Sequence, residues 1–139
     1  MSSLCLQSPN GKSKVLNPPF YLAGTVEKGD GRGAKLGFPT LNIKTGNLYI
    51  PYGVYVVLAK IEEQVLKGIA HVGIIETFDI NKPRVEVHLL DFKGDLYNQR
   101  VEINILKLLR QVHKFKTPQD LIVQMQEDEK IARNFLKNL

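Results

Sequence analysis

The stretch whose residue types could do chemistry is Gly24-Thr-Val-Glu-Lys-Gly-Asp-Gly-Arg-Gly-Ala-Lys-Leu-Gly-Phe-Pro-Thr-Leu-Asn42. Gly29, Gly31, Gly33 and Gly37 break a β-type run, with Asp30, Arg32 and Lys35 between them. Glycine reaches positive φ without steric cost and leaves its N–H uncovered, so such a loop can fold its amides around an anion. Arg32 and Lys35 add positive charge, and Pro39 biases Phe38 towards an extended backbone. Thr40 and Asn42 follow at alternate positions, so in a strand their oxygens face one side. A basic cradle followed by two aligned neutral oxygen ligands suits a nucleotide phosphate with a hard cation. A glycine-rich hairpin leading into a polar strand is the plain structural alternative, and this stretch alone leaves both open.

Two familiar phosphate motifs are excluded. The P-loop needs Gly-x-x-x-x-Gly-Lys-Ser/Thr, and after four intervening residues Gly29 meets Ala34. The dinucleotide fingerprint needs a helix after its glycines, which Phe38-Pro39 and the β-type run beyond deny it.

Phosphoryl transfer also needs a group to receive the proton of the attacking hydroxyl. Glu86 lies mid-strand, with Val85, Val87 and Leu89 on one face and Glu86 and His88 on the other. A glutamate facing solvent from a sheet would look the same. Asp91 and Asp95 are competing carboxylates, although Asp95 sits in a Gly-Asp turn and reads as structural.

These groups need elements to position them. Residues 1–19 are polar, with few large apolar side chains, and read as a tail too poor in buried surface to offset its ordering entropy. From Phe20 to Leu139 we expect one domain. Gly53-Val-Tyr-Val-Val-Leu-Ala-Lys-Ile61 is a β-branched run suited to a strand buried on both faces, and Glu62-Glu63 turns it into a hairpin partner from Val65 to Gly73. Pro83 opens a further strand, Lys93-Gly-Asp marks a turn, and Arg100 to Leu106 alternates cleanly. Strands without intervening helices predict a mainly β fold: a small closed antiparallel barrel of Greek-key type, with about six strands and no open edge. Thr117-Pro-Gln-Asp120 then offers an N-cap hydroxyl, a proline at N1 and an acidic N3. Leu121, Ile122, Met125, Ala132, Phe135, Leu136 and Leu139 recur at helical spacing, predicting a C-terminal helix packed on the barrel.

Composition bounds the setting. A chain of 139 residues with 43% hydrophobic content is long enough for one independent core. No run approaches the roughly 18 apolar residues of a membrane span. The start, Met1 to Gln7, lacks the basic and apolar regions of a secretory signal. Cys5 is the single cysteine and cannot form an internal disulfide, which suits a reducing cytoplasm. His71, His88 and His113 offer no zinc spacing. A net charge of +5 fits a polyanion such as ATP and equally a nucleic acid, but no cluster of Lys/Arg with surface aromatics favours the latter. The expectation is a cytoplasmic monomer.

The sequence resembles a known family. Gly24-x-Val-x-x-Gly29, Gly31-Arg-Gly33 and Leu36-Gly-Phe-Pro-Thr-x-Asn42 are similar to the signature of riboflavin kinases, including the kinase half of bacterial bifunctional FAD synthetases. The likeness continues through Gly53-Val-Tyr55, Glu86-Val-His-Leu-Leu-Asp-Phe92, Tyr97, Leu109-Arg110, Lys114-Phe115 and the final helix. The resemblance implies phosphorylation of riboflavin by Mg·ATP to give FMN and ADP. In that scheme Glu86 is the base, and Thr40 and Asn42 hold Mg²⁺. Gly29, Gly31, Arg32, Gly33, Lys35, Gly37, His88 and Tyr97 surround the nucleotide; Arg110 and Phe115 border the flavin. The alternative is a non-catalytic flavin- or nucleotide-binding regulatory module on the same fold. The adenylyltransferase half is absent from this sequence, so FAD synthesis is not expected of it unless it was cut from a longer protein.

The chain also departs from the family. Where many members read Asn-x-Gly-x-x-Pro-Thr-Phe it has His71-Val-Gly-Ile-Ile-Glu-Thr-Phe78, with Glu76 in place of proline. Val112 stands where a glutamate commonly follows Leu-Arg, and Asn98 where a glycine commonly follows Tyr97. Without a carboxylate at 112, Arg110 is expected to be poorly held and the segment from Gln111 to Lys116 freer, so that Val112→Glu would tighten riboflavin binding.

Overall fold

The computed structural model describes residues 18–27, 40–46, 49–74 and 83–139. The proposed tail, apart from its last two residues, and the whole glycine loop with Gly29, Gly31, Arg32, Gly33, Lys35 and Gly37 lie outside them, as does Glu76.

The strands are β1 (Phe20–Glu27), β2 (Leu41–Lys44), β3 (Gly53–Ile61), β4 (Gln64–Ile74), β5 (Pro83–Leu89) and β6 (Arg100–Arg110). They close into an antiparallel barrel in the order β1-β2-β5-β4-β3-β6. The consecutive run β3-β4-β5 with β6 returning beside β3 is a Greek key, and closure leaves no edge unpaired. The expected mainly β barrel with a helix against it is what forms.

Alternation explains the interior. Val26, Ile43, Val57, Val72, Val85, Val87, Ile103 and Ile105 point inward and are almost fully buried. Tyr55 is buried among them; its hydroxyl donates to the Pro51 carbonyl at 2.6 Å, and its ring meets Phe20 edge-on at 6.2 Å. Burial pushes the Tyr55 phenol above its ordinary pKa. β1 crosses so close to β2 that a Cβ on Gly24 would run into the Lys44 carbonyl oxygen and lie 2.7 Å from Ile43 Cγ2. Only glycine fits there.

β3 is buried on both faces, as its continuous apolar run requires, because the helix α1 (Pro118–Lys137) covers its outer side. Thr117 caps α1, its hydroxyl accepting from the Asp120 N–H at 3.1 Å, with Pro118 opening the first turn. Ala132 and Leu136 pack with Val54, Val56, Ile69 and Leu90 in a second apolar cluster outside the barrel. Leu139 falls beyond the helix and is exposed. The centre of the stripe holds a residue the apolar pattern passed over, Asp128, which is only 3% exposed.

Two register shifts mark the β3–β6 pairing. Val57 faces Ile105 and Val56 faces Lys107, then Tyr55 faces Leu108 and Val54 faces Arg110, so Leu106 and Leu109 are each left over. Each extra residue is a bulge that flips the alternation, and two in succession cancel. The first turns Lys107 out over the Phe135 ring, 5.7 Å from its centre. The second delivers Arg110 to the outer face under α1.

Candidate active site

Register places the polar residues. In an antiparallel pair, opposed residues project from the same face with Cβ atoms about 5 Å apart. Glu27 of β1 faces Asn42 of β2; Asn42 faces Glu86 of β5; Glu86 faces His71 of β4; His71 faces Val54 of β3; Val54 faces Arg110 of β6. Their neighbours Val26, Ile43, Val85, Val87 and Val72 fill the barrel. A row of polar groups therefore crosses the outer wall. From Glu86 to Arg110 it runs about 14 Å, three inter-strand steps of about 4.8 Å.

At one end stand the residues expected to serve the metal and the base. Asn42 is 4% exposed, and its Oδ1 has no hydrogen-bond partner among the described residues. Such atoms are rare, because an unpaired buried acceptor forfeits its hydration. A hard cation satisfies an amide oxygen of this kind, so the donor set fits the expected ion. Thr40 immediately precedes β2 and is half-buried. Continued by one residue, the β2–β5 register sets Thr40 opposite His88, beside the Asn42–Glu86 pair. Thr40, Asn42, Glu86 and His88 thus form one patch.

Tyr97 lies off that patch. It lines an open cleft of about 410 Å³ with Thr25, Val26, Glu27, Lys44 and Asn98, on the β1 side of Asn42. The Asn98 N–H donates to the Val26 carbonyl at 2.9 Å, fastening this turn to β1. Asn98 has φ 68°, in the left-handed region where glycine is at ease and asparagine tolerated, which accounts for that departure in backbone terms. Asp95 accepts from the Tyr97 N–H at 2.8 Å, the structural role its turn suggested. Arg84 and Glu27, neither singled out in the sequence, approach to 3.7 Å beside Asn42.

The other end is built differently, and it corrects one expectation. Arg110 is held firmly despite Val112. Its Nε donates to both oxygens of Asp128 at 2.9 and 3.1 Å, its Nη2 to Oδ2 at 2.9 Å, and its Nη1 to the Gln111 carbonyl at 3.2 Å. Gln124 adds a bond to Asp128 Oδ1 at 2.9 Å. The carboxylate comes from the helix rather than from the adjacent segment, which local sequence could not reveal. The available signal was a charge on the apolar stripe, between Met125 and Ala132. Phe115 lies beneath the guanidinium, its ring centre 5.6 Å from Cζ and 4.3 Å from the His113 ring. Val112 itself packs against the second apolar cluster.

His71 stands between the two ends. Burial holds its imidazole below the ordinary pKa; the Arg110 charge acts in the same direction and Asp128 opposes it. Its Nε2 is buried without a hydrogen-bond partner among the described residues. Among those residues no helix is long and apolar enough to cross a membrane, and no cluster of three or more His, Cys, Asp or Glu could hold a metal.

Comparison with known proteins shows the family to which the chain belongs. The model of the riboflavin kinase (flavokinase) family matches residues 16–136. A bifunctional riboflavin kinase/FMN adenylyltransferase of Bacillus subtilis is 35% identical over 130 residues, covering 90% of this chain and 41% of that protein. The chain therefore spans about two fifths of the length of such relatives. A solved structure described as a macrolide-efflux protein from Streptococcus pneumoniae superposes with TM-score 0.75 at 36% identity, covering 84% of this chain and 39% of that one. A riboflavin kinase from Trypanosoma brucei shares the fold, with TM-score 0.63 at 24% identity over 89% of this chain and 83% of that one. The family match runs from just before the first strand almost to the end of the helix, and on it the chain belongs to the riboflavin kinase family, a family of kinases.

Proposed function

We propose that the chain transfers the γ-phosphoryl group of Mg·ATP to the 5′-hydroxyl of riboflavin, giving FMN and ADP. The observation that carries this reading is the buried Oδ1 of Asn42, without a hydrogen-bond partner among the described residues, directly opposite the carboxylate-bearing Glu86. Thr40 and Asn42 would hold the magnesium ion. When bound, that ion neutralises charge developing on the phosphate oxygens. Glu86 accepts the hydroxyl proton as the oxygen attacks the γ-phosphorus; the bond to the ADP oxygen breaks, and ADP leaves. Because Glu86 sits within a closed ladder rather than on a loop, its backbone needs little reorganisation to meet the hydroxyl. His88 borders the same patch, and Tyr97 borders the adjoining cleft, on the nucleotide side. The glycine loop with Gly29, Gly31, Arg32, Gly33, Lys35 and Gly37 cradles the phosphates. Phe115, beneath the Arg110 guanidinium, gives the flavin a planar surface at the far end. We read the setting as cytoplasmic and the working unit as a monomer.

Incubation with riboflavin and Mg·ATP, followed by chromatography, tests this directly. FMN should form only when protein, riboflavin, ATP and magnesium are all present. A folded protein that binds flavin and Mg·ADP yet makes no FMN would overturn the proposal in favour of a binding module.

A further inference from the structure

The proposed chemistry leaves His71 unused, yet the row runs through it. An acceptor with its hydroxyl at Glu86 and its body towards the Arg110 end crosses β4 at His71, because Val54, the next residue of the row, is already covered by α1. Its Nε2 is shielded from water and has no hydrogen-bond partner among the described residues. Such an atom costs stability unless something satisfies it in another state of the protein. Burial keeps the ring neutral, so this nitrogen can donate or accept according to tautomer. A Cβ placed on Gly73 would lie 3.7 Å from Nε2 and 3.7 Å from Val112 Cγ2, so the glycine leaves room between the imidazole and the segment that follows β6. That segment, residues 111–116, is neither helix nor strand, and can shift without breaking a ladder.

We propose that His71 binds the acceptor: its Nε2 makes a hydrogen bond to a polar edge of the planar heteroaromatic ring as residues 111–116 move aside. This rests on the reading of Glu86 as base and of the Arg110 end as the acceptor side. It assigns a purpose to an atom that no described residue satisfies.

The test combines ligand-free thermal melts with riboflavin titrations by fluorescence quenching, on wild type, His71→Leu and His71→Gln. The leucine variant removes an unsatisfied buried atom, so it should melt higher while binding riboflavin roughly three- to tenfold more weakly, the scale of one hydrogen bond. Mg·ADP affinity should not change, and in turnover the KM for riboflavin should rise with kcat held. Glutamine, which restores a hydrogen-bonding group, should recover much of the affinity. Should the leucine variant fold poorly, His71→Phe takes its place under the same criterion. Wild-type riboflavin affinity in either apolar variant overturns the proposal. A wild type that neither binds riboflavin nor forms FMN sinks the functional reading instead, so the two failures are distinguishable.

Discussion

The two ends of the outer-wall row differ in how their polar groups are satisfied. At the Asn42–Glu86 end, strand register sets the positions, and a buried amide oxygen has no partner among the described residues. At the Arg110 end, a helix carboxylate and a backbone carbonyl hold one guanidinium, and Gln124 donates to the same carboxylate. An open buried acceptor is a standing cost that a ligand can remove, whereas a closed ion pair fastens elements together. On the proposed function the first end binds ligand, and the ion pair of the second fastens α1 to the barrel. His71, one strand from Glu86 and two from Arg110, shares with the first end a buried polar atom without a partner among the described residues.

Substitutions at the two ends should therefore fail in different ways. The largest effect is expected at Glu86. Glu86→Gln should lower turnover by roughly 10²–10⁴, the usual scale for a general base, while riboflavin and Mg·ADP still bind. An unchanged kcat would remove Glu86 from the chemistry and erase the contrast at its functional end.

Asp128→Ala tests the holding end. It strands a guanidinium that is 19% exposed in the side chain, and breaking a buried pair of this kind costs roughly 3–5 kcal/mol. Urea denaturation should show a lower midpoint, with α1 loosened from the barrel. A variant as stable as wild type but poor in flavin binding would make Arg110 a ligand group and reverse the comparison.

Asn42→Leu is nearly isosteric and deletes the open oxygen. The magnesium concentration for half-maximal turnover should rise roughly tenfold or more, and binding of Mn²⁺ in the presence of ADP should weaken with it. Melting should stay level or improve, because the deleted oxygen has no hydrogen-bond partner among the described residues. A sharp loss of stability without any change in metal dependence would make Asn42 structural.

A smaller effect is expected from Val112→Glu. Arg110 already has its carboxylate, so riboflavin affinity should be unchanged or weaker, and a charge placed against the second apolar cluster should lower stability by about 1–3 kcal/mol. Tighter flavin binding in this variant would restore the view that residue 112 governs preorganisation.

The smallest effect is on pH dependence. The folded-state pKa of His71 lies below the ordinary 6.5, so the unfolded chain takes up its proton first as the medium acidifies. The neutral ring is fully compatible with folding above that value, and stability falls as pH drops below it towards the depressed folded pKa. His71→Leu should flatten the slope of the stability profile in that window and leave the slope near pH 8 unchanged, whatever constant gain in stability it brings. An identical slope in both proteins would mean that the imidazole titrates normally.

How much of this was legible beforehand follows from what each feature depends on. The alternation in β5 showed that Glu86 and His88 share the face opposite Val85 and Val87, because strand periodicity is local. The Thr117-Pro118 start of α1, the Glu62-Glu63 hairpin and the double burial of β3 were readable for the same reason: each is a property of neighbouring residues. The Thr40–Asn42 pair could be picked out by type and spacing. Closure and pairing order set what lies beside it. That Asn42 faces Glu86, that Glu86 faces His71, and that Arg110 reaches the same wall after two bulges are consequences of register between strands distant in sequence. Asp128 shows the limit most clearly. It lies eighteen positions from Arg110, and only the docking of α1 brings their charges to 2.9 Å. Sequence by itself determined the elements and the chemical repertoire, since propensity and periodicity act over a few residues. Tertiary structure alone decided which polar groups were joined and which were left open, because partnership across a barrel depends on packing that no single segment encodes.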